Sequence, residues 1–483
     1  MNAVKLAGLE PASVFGYFEE ICSIPHGSGN TKMISDYLVS FAKEHGLRYI
    51  QDELNNVIIF QNGTCGMEDH EPVILQGHMD MVCEKDAACP IDMAAEGLDV
   101  THDGFCVSAK GTTLGGDDGI ALAYAMALMA DTTIPHPPLE VIITVDEETG
   151  MYGAAGIDLS MLKGKKLINL DSEDEGVFTV SCAGGCRATI ALNVDRRAVY
   201  GPCIRLAVDG LQGGHSGAEI HKNRANANKV MGEFMSRIQK LMPLCLTNLS
   251  GGSKDNAIPR SCQATMVAMG INLQRINTIA EELQAEIREQ YDEPEVTIQA
   301  FDVDALGGNG LSTESTAKII GLLCAAPNGV QKMSDDIPGL VQTSLNLGIA
   351  KLGERFTATF SVRSSVNTEK LELLEQLKKL CEFYEGVYTE KGDYPAWEYK
   401  KDSELRDTMV KVYTEMYGKA PEVLAIHAGL ECGLFLEKYP HLDMISFGPT
   451  MRGVHSPDER LLIPTVALWW QHLVAVIEAA PVK

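Results

Sequence analysis

Two histidines and a run of carboxylates stand where metal chemistry would need them: His78-Met79-Asp80, Gly116-Asp117-Asp118, Glu147-Glu148-Thr149-Gly150, Asp171 and His455. Imidazole nitrogen and carboxylate oxygen are the ligand types of catalytic zinc, which keeps an open position for water. Two such ions lie about 3.5–4 Å apart and share a bridging carboxylate; together they activate one water and clamp the oxygens of the reacting centre. The set supplies His78 and Asp171 for one ion, Glu148 and His455 for the other, and Asp117 between them. Asp80, two residues after His78, is placed to accept the other imidazole N–H, which fixes the tautomer and raises ligand basicity. Glu147, beside the ligand Glu148, is the spare carboxylate; near two cations it stays ionised and can take a proton from the activated water.

These residues need elements to bring them together. Short apolar, β-branched runs recur at Val57 to Phe60, Val73 to Leu75, Leu139 to Val145 and Leu167 to Leu170, with helical segments such as Asp36 to His45 and Ile120 to Ala130 between them. Strands alternating with helices predict an α/β layer whose mixed, mostly parallel sheet is covered on both faces. A helix from Asp402 to Tyr417, a strand from Met444 to Phe447 and a helix from Val466 to Ala479 repeat the style near the C-terminus. His78, Glu147-Glu148, Asp171 and His455 each follow the carboxyl end of one of these strands, the edge where open α/β sheets bind ligands. Asp117 enters from a glycine-rich loop ahead of the helix at Ile120. Asp118 is expected to serve as the N-cap or in the first turn of that helix.

The middle of the chain reads as a different domain. Longer alternating strands (Arg187 to Val194, Phe356 to Arg363) and amphipathic helices (Arg224 to Lys240, Arg275 to Gln290, Glu314 to Cys324, Glu369 to Tyr384) suggest an inserted α+β domain. The segment 210–270 is loosely echoed by 305–365, the mark of an internal duplication, with ferredoxin-like units as the expected form. The catalytic domain is accordingly placed at 1–185 and 395–483, and the inserted domain at 186–394.

With 483 residues the chain is long enough for two cores. Its 66 acidic against 40 basic residues give a net charge of −26, which repels phosphate backbones and anionic lipid and argues against nucleic-acid or membrane partners. No apolar run approaches the roughly 20 residues of a membrane helix, and the N-terminal segment carries no signal-peptide pattern. Thirteen cysteines without a CxxC pair read as reduced thiols of a cytoplasmic protein. Neither Gly27-Ser28-Gly29 nor Gly214-His215-Ser216-Gly217 reads GxSxG, so a serine hydrolase is not expected.

Taken in order, these motifs resemble the M20 family of co-catalytic dizinc peptidases, and within it the aminoacyl-histidine dipeptidase branch. Branch-like signatures are Pro25-His26-Gly27-Ser28, Thr112-Thr113-Leu114-Gly115, Ile426-His427-Ala428-Gly429-Leu430-Glu431-Cys432-Gly433, Gly448-Pro449-Thr450 and His455-Ser456-Pro457-Asp458-Glu459. The resemblance covers essentially the whole chain. It implies that the inserted domain is a lid, that His215 meets the developing oxyanion, and that Asn256 and Arg363 grip the substrate. It leaves open whether His215 acts within its own chain or across a homodimer. For His427 and Glu431, near a helix start, recognition of the substrate's amino group or histidine side chain stands beside a capping or packing role. The activity implied is hydrolysis of small unblocked dipeptides, Xaa-His above all, with two zinc ions for which cobalt or manganese can substitute. A tripeptidase, N-acyl-amino-acid deacylase or carboxypeptidase on the same scaffold is the nearer alternative. A non-catalytic metal- or peptide-binding module is the more distant one, and the filled ligand and base positions count against it.

Overall fold

The structure, a computed structural model, describes residues 5–479 except 269 and 271; the first four residues of the N-terminal segment read above lie outside the described residues. The chain forms two compact units. The first comprises Met1–Ser181, Tyr399–Ala425 and Glu431–Lys483; the second comprises Cys182–Glu398 with Ile426–Leu430.

The first unit is built on an eight-stranded sheet. Its centre is parallel: Leu139–Thr144, Val73–His78, Lys166–Asn169 and Asp443–Ser446 lie side by side in that order. Val57–Gln61 and Arg48–Gln51 extend one side antiparallel, and Val177–Cys182 and Glu422–Ile426 complete the other. All four of these central strands are buried at every residue, which is why they read as largely apolar runs rather than alternations. The helix Gly116–Ala130 is apolar all round because it is buried all round. It packs on the helix Ala12–Cys22 and on the strand Val73–His78. Gly77 permits that approach: a Cβ there would lie 2.6 Å from Asp118 Oδ2 and 2.9 Å from the Ala121 methyl. A small antiparallel sheet of Met451–Arg452, Arg460–Leu462, Cys106–Ala109 and Val100–His102 holds the loop that carries His455. Among the described residues no helix is long and apolar enough to cross a membrane.

One buried histidine gives this unit an acid limit. His472, on the helix Ile463–Glu478, is 2% exposed and packs among the rings of Phe178, Tyr413 and Phe447, with Nε2 3.2 Å from the Met409 carbonyl oxygen. Burial lowers it to about 4. The unfolded chain therefore takes up this proton near pH 6.5 and the folded chain only near 4, so stability falls as pH drops through that window, by about 3 kcal/mol in all. His472→Phe should lose about 1 kcal/mol at neutral pH with the hydrogen bond, and its denaturant midpoint should fall less steeply than wild type's between pH 6.5 and 4. Parallel acid limbs for the two proteins would refute the assignment.

The second unit resolves the echo seen in the sequence. Arg196–Asp209, Ala227–Gln239, Leu244–Gly251, Cys262–Ala268, Leu273–Tyr291 and Thr297–Leu311 follow one another as strand–helix–strand–strand–helix–strand. Their strands lie in spatial order fourth, first, third, second, all antiparallel, which is the ferredoxin-like arrangement. Gly184–Leu192, Thr313–Ala325, Val341–Leu352, Phe356–Ser364, Asn367–Phe383 and Val387–Tyr394 repeat it. The first copy is nested between the first strand and first helix of the second. The two join edge to edge through their second strands, with Ser250 opposite Lys351 and Gly251 opposite Ala350. Phe356–Ser364 alternates buried and half-buried positions: Phe356, Ala358, Phe360 and Val362 enter the core with the helices, and Arg363 points to the other face.

Candidate metal centre

His78 ends its central strand. Glu147 and Glu148 follow Leu139–Thr144, and Asp171 follows Lys166–Asn169. Asp117 comes from the Gly115-Gly116 turn; it and Asp118 have non-helical backbone angles, so the regular helix starts after them. His455 sits in the loop before Arg460–Leu462 with φ +62°, a left-handed conformation that a non-glycine residue keeps only where its surroundings hold it there.

The side chains converge. Asp117 Oδ1 lies 3.0 Å from His78 Nε2, and its Oδ2 lies 3.1 Å from His455 Nε2. Glu148 Oε1 is 2.8 Å from His455 Nε2, and Asp171 Oδ1 is 3.9 Å from His78 Nε2. Ligands about 2.0–2.1 Å from an ion in tetrahedral geometry stand about 3.3 Å from one another, and these separations bracket that value. His78, Glu147 and Glu148 form one group of close donor atoms, Asp117, Glu148 and His455 a second, and His78, Asp118 and Asp171 a third.

The chemistry of the donors fits cations as well. His78 Nδ1 donates to the Asp80 carbonyl oxygen at 2.9 Å, which leaves the Nε2 lone pair facing the carboxylate oxygens of Asp117 and Asp171. Lone pairs aimed at one another need a positive charge between them. Without one, the site recruits protons. Burial opposes charge on His78, yet its contacts with Asp117 and Asp80 hold it well above the ordinary histidine range. Contacts with Asp117 and Glu148 push His455 up to about 10. Burial, followed by the charges of Asp117 and Asp118, raises Asp171 well above the carboxylate range. Burial together with Glu431, Glu148 and Asp117 pushes Glu147 up to about 8, against the opposing pull of His78.

Two details differ from the sequence reading. The acceptor nearest His78 Nδ1 is the Asp80 main-chain oxygen; the carboxylate stands 3.5 Å away. That carboxylate instead accepts the Ser28 hydroxyl at 2.8 Å and the backbone N–H groups of Glu147 at 3.0 Å and Glu148 at 3.4 Å, so it orders the acidic turn. Asp118 does not cap its helix: its Oδ2 accepts the His78 backbone N–H at 3.2 Å and fixes the strand end. Ser28, in the Pro25-His26-Gly27-Ser28 run, thus supports the acidic turn through Asp80, a role that no local spacing announces.

Glu431 belongs to the first unit and is fully buried. Its Oε2 accepts the Gln76 amide at 2.6 Å and the Thr144 hydroxyl at 2.7 Å, and Gln76 in turn accepts from Asn169 at 2.6 Å. It is a prop joining three central strands, the packing role of the two readings open for it. Burial pushes it up to about 7.

Within the second unit, His215, Arg363 and His427 meet around Gly217. A Cβ on that glycine would lie 2.7 Å from the His427 carbonyl oxygen, 3.1 Å from His215 Cε1 and 3.3 Å from Arg363 Nε. His215 Nδ1 accepts the backbone N–H groups of Gly217 and Ala218 at 3.2 and 3.0 Å, so its proton sits on Nε2. Arg363 Nη1 donates to the Tyr394 hydroxyl at 3.2 Å. His427 Nε2 lies 2.7 Å from the Ser344 hydroxyl, and burial with the Arg363 charge lowers it to about 3. Asn256 is exposed; its main-chain oxygen accepts the Ser216 N–H at 2.8 Å, and its side chain does not join the cluster.

Residues 74–479 match the family model Peptidase family M20/M25/M40. The chain belongs to this family. The M20 chain is 38% identical over 488 aligned residues to the cytosol non-specific dipeptidase of Escherichia coli K12, covering 99% of itself and 100% of that protein. It is also 38% identical to the crystal structure of the aminoacylhistidine dipeptidase of Vibrio alginolyticus, with a TM-score of 0.92 and coverage of 99% and 98%. An aminopeptidase PepT of Bacillus cereus, 14% identical with a TM-score of 0.57 over 98% of this chain and 99% of its own, shares the fold. This M20 protein is a peptide-bond hydrolase of a metal-dependent family.

Proposed function

We propose that this peptidase is a cytosolic dipeptidase that cleaves small unblocked dipeptides, Xaa-His among them, with two zinc ions at the strand ends. The observation that carries the reading is the Asp117 carboxylate, whose two oxygens face two imidazoles at 3.0 and 3.1 Å. His78 and Asp171 would hold one ion, Glu148 and His455 the other, and Asp117 both. When bound, such ions polarise the scissile carbonyl and lower the pKa of the attacking water. Asp80 orders the turn carrying Glu147, whose carboxylate takes the water's proton and returns it to the leaving amine. The proton on His215 Nε2 suits donation to the developing oxyanion. The Arg363 guanidinium suits a free carboxylate, and the exposed Asn256 side chain, outside that cluster, offers an amide to the same substrate. The names of the relatives, a non-specific dipeptidase and an aminoacylhistidine dipeptidase, support the substrate class and the cytosolic location.

Comparing hydrolysis of β-alanyl-histidine, Gly-His, a tripeptide and an N-acetyl amino acid by the zinc-loaded protein tests the proposal. Both dipeptides should be cleaved, and the tripeptide and blocked substrate should lag by at least an order of magnitude in kcat/KM. Preference for either of the latter would move the protein to the tripeptidase or deacylase reading. Cobalt and manganese should each restore turnover to chelated protein, because His/carboxylate sites discriminate poorly between such metals.

A further inference from the structure

The buried carboxylate of Glu459 lies outside the chemistry described so far. It is 2% exposed, and among the described residues it forms no ion pair with lysine or arginine. Its Oε2 accepts the backbone N–H groups of Leu114 at 2.8 Å and Gly115 at 3.2 Å, and its Oε1 accepts that of Gly116 at 2.8 Å. Three successive N–H groups converging on one anion form a nest, and Gly115 makes it possible with φ +66°. Gly116 leaves room for it: a Cβ there would lie 3.2 Å from Glu459 Oε1 and 3.0 Å from Met451 Sδ.

The two ends of this clamp are informative. Gly116 directly precedes Asp117, and Glu459 follows His455 by one tight turn, closed by Ser456 Oγ donating to the Gly453 carbonyl at 2.6 Å and by the Glu459 N–H donating to the Ser456 carbonyl at 3.0 Å. The carboxylate therefore ties the loop presenting the bridging residue to the loop presenting the late histidine. We infer that Glu459 is a positioning residue that holds Asp117 and His455 in register and thereby sets the affinity of the ion site they share. Its own carboxylate touches neither ion nor substrate. The inference rests on the reading of Asp117 and His455 as ligands.

Glu459→Gln tests it. An amide keeps the shape but turns an N–H donor toward the nest, so at least one clamp bond becomes a donor–donor clash. Cobalt(II) titration of the metal-free protein, followed by its visible absorption bands and by competition with a chelator, should show the second ion bound about 10–100-fold more weakly. The metal-free protein should lose no more than a few degrees of thermal midpoint, the cost of about one buried hydrogen bond in a chain of this size, and kcat should fall with KM little changed at subsaturating metal. Glu459→Asp, which keeps the charge, should recover part of the affinity. Gly116→Ala, which crowds the clamp from its other end, should weaken the same ion and stands in should Glu459→Gln fail to fold. Unchanged cobalt binding in the folded variants, or a loss no larger than a fall in metal-free stability explains, would overturn the inference. Wild-type protein that binds fewer than two ions would instead overturn the ligand reading beneath it.

Discussion

Glu147→Gln is expected to lower turnover by about 10²–10⁴-fold, the range of general acid–base assistance, with two ions still bound. The argument is positional. The Glu147 main chain is held by the Asp80 carboxylate at 3.0 Å, while its neighbour Glu148 is the residue that meets His455. Glutamine keeps the volume and most of the polarity of this half-buried position but cannot take a proton from water or pass one to an amine. Metal content by elemental analysis and kcat by single-substrate kinetics decide it together. Retained turnover would remove Glu147 as the base, and loss of an ion would make it a ligand.

Asp117→Asn should damage the centre more broadly. Each carboxylate oxygen faces a different imidazole, so an amide leaves one oxygen acceptor, turns an NH₂ group toward the other ring, and removes the negative charge that the proposed pair of ions would share. Affinity for the pair of ions should fall at least about 100-fold, the upper end of the effect of losing an outer support alone. Activity should fall with it at any ordinary metal concentration. The rise in thermal midpoint on adding zinc, which reports binding to the folded state by mass action, should shrink correspondingly. A variant that still takes up two ions with wild-type affinity would remove Asp117 as the bridge and with it the two-ion mechanism.

Much of this centre is legible in the sequence because central parallel strands are buried on both faces. A continuous apolar run such as Val73 to Leu75 announces its own end, and a polar residue just past that end has one place to go. His78, Glu147, Glu148 and Asp171 are all found this way. The contacts that align them leave no such trace. Glu459 and Leu114 are 345 residues apart, and Glu431 and Gln76 are 355 apart, so no local period or spacing connects them. Asp118 misleads for a related reason: an aspartate ahead of a helix reads as a cap, and only the close packing over Gly77 shows that the His78 backbone competes for it. In the second unit the recurring helix–strand–strand pattern is visible. The strand Gly184–Leu192 is separated from its partners by the whole intervening copy, so the nesting is not.

That nesting shapes how the chain can assemble. The inner copy starts and finishes at one place: Arg196 pairs with Leu311, and the Ser312 N–H donates to the Asp195 carbonyl at 2.9 Å. Once folded, it brings Leu192 and Thr313 together as a short turn would, and the outer copy is spared the closure entropy of a floppy span of that length. During synthesis the inner module can form while the strand Gly184–Leu192 waits for sheet neighbours still to be translated. The insertion thus works as a self-closing splice, and the outer copy folds around a junction that is already made.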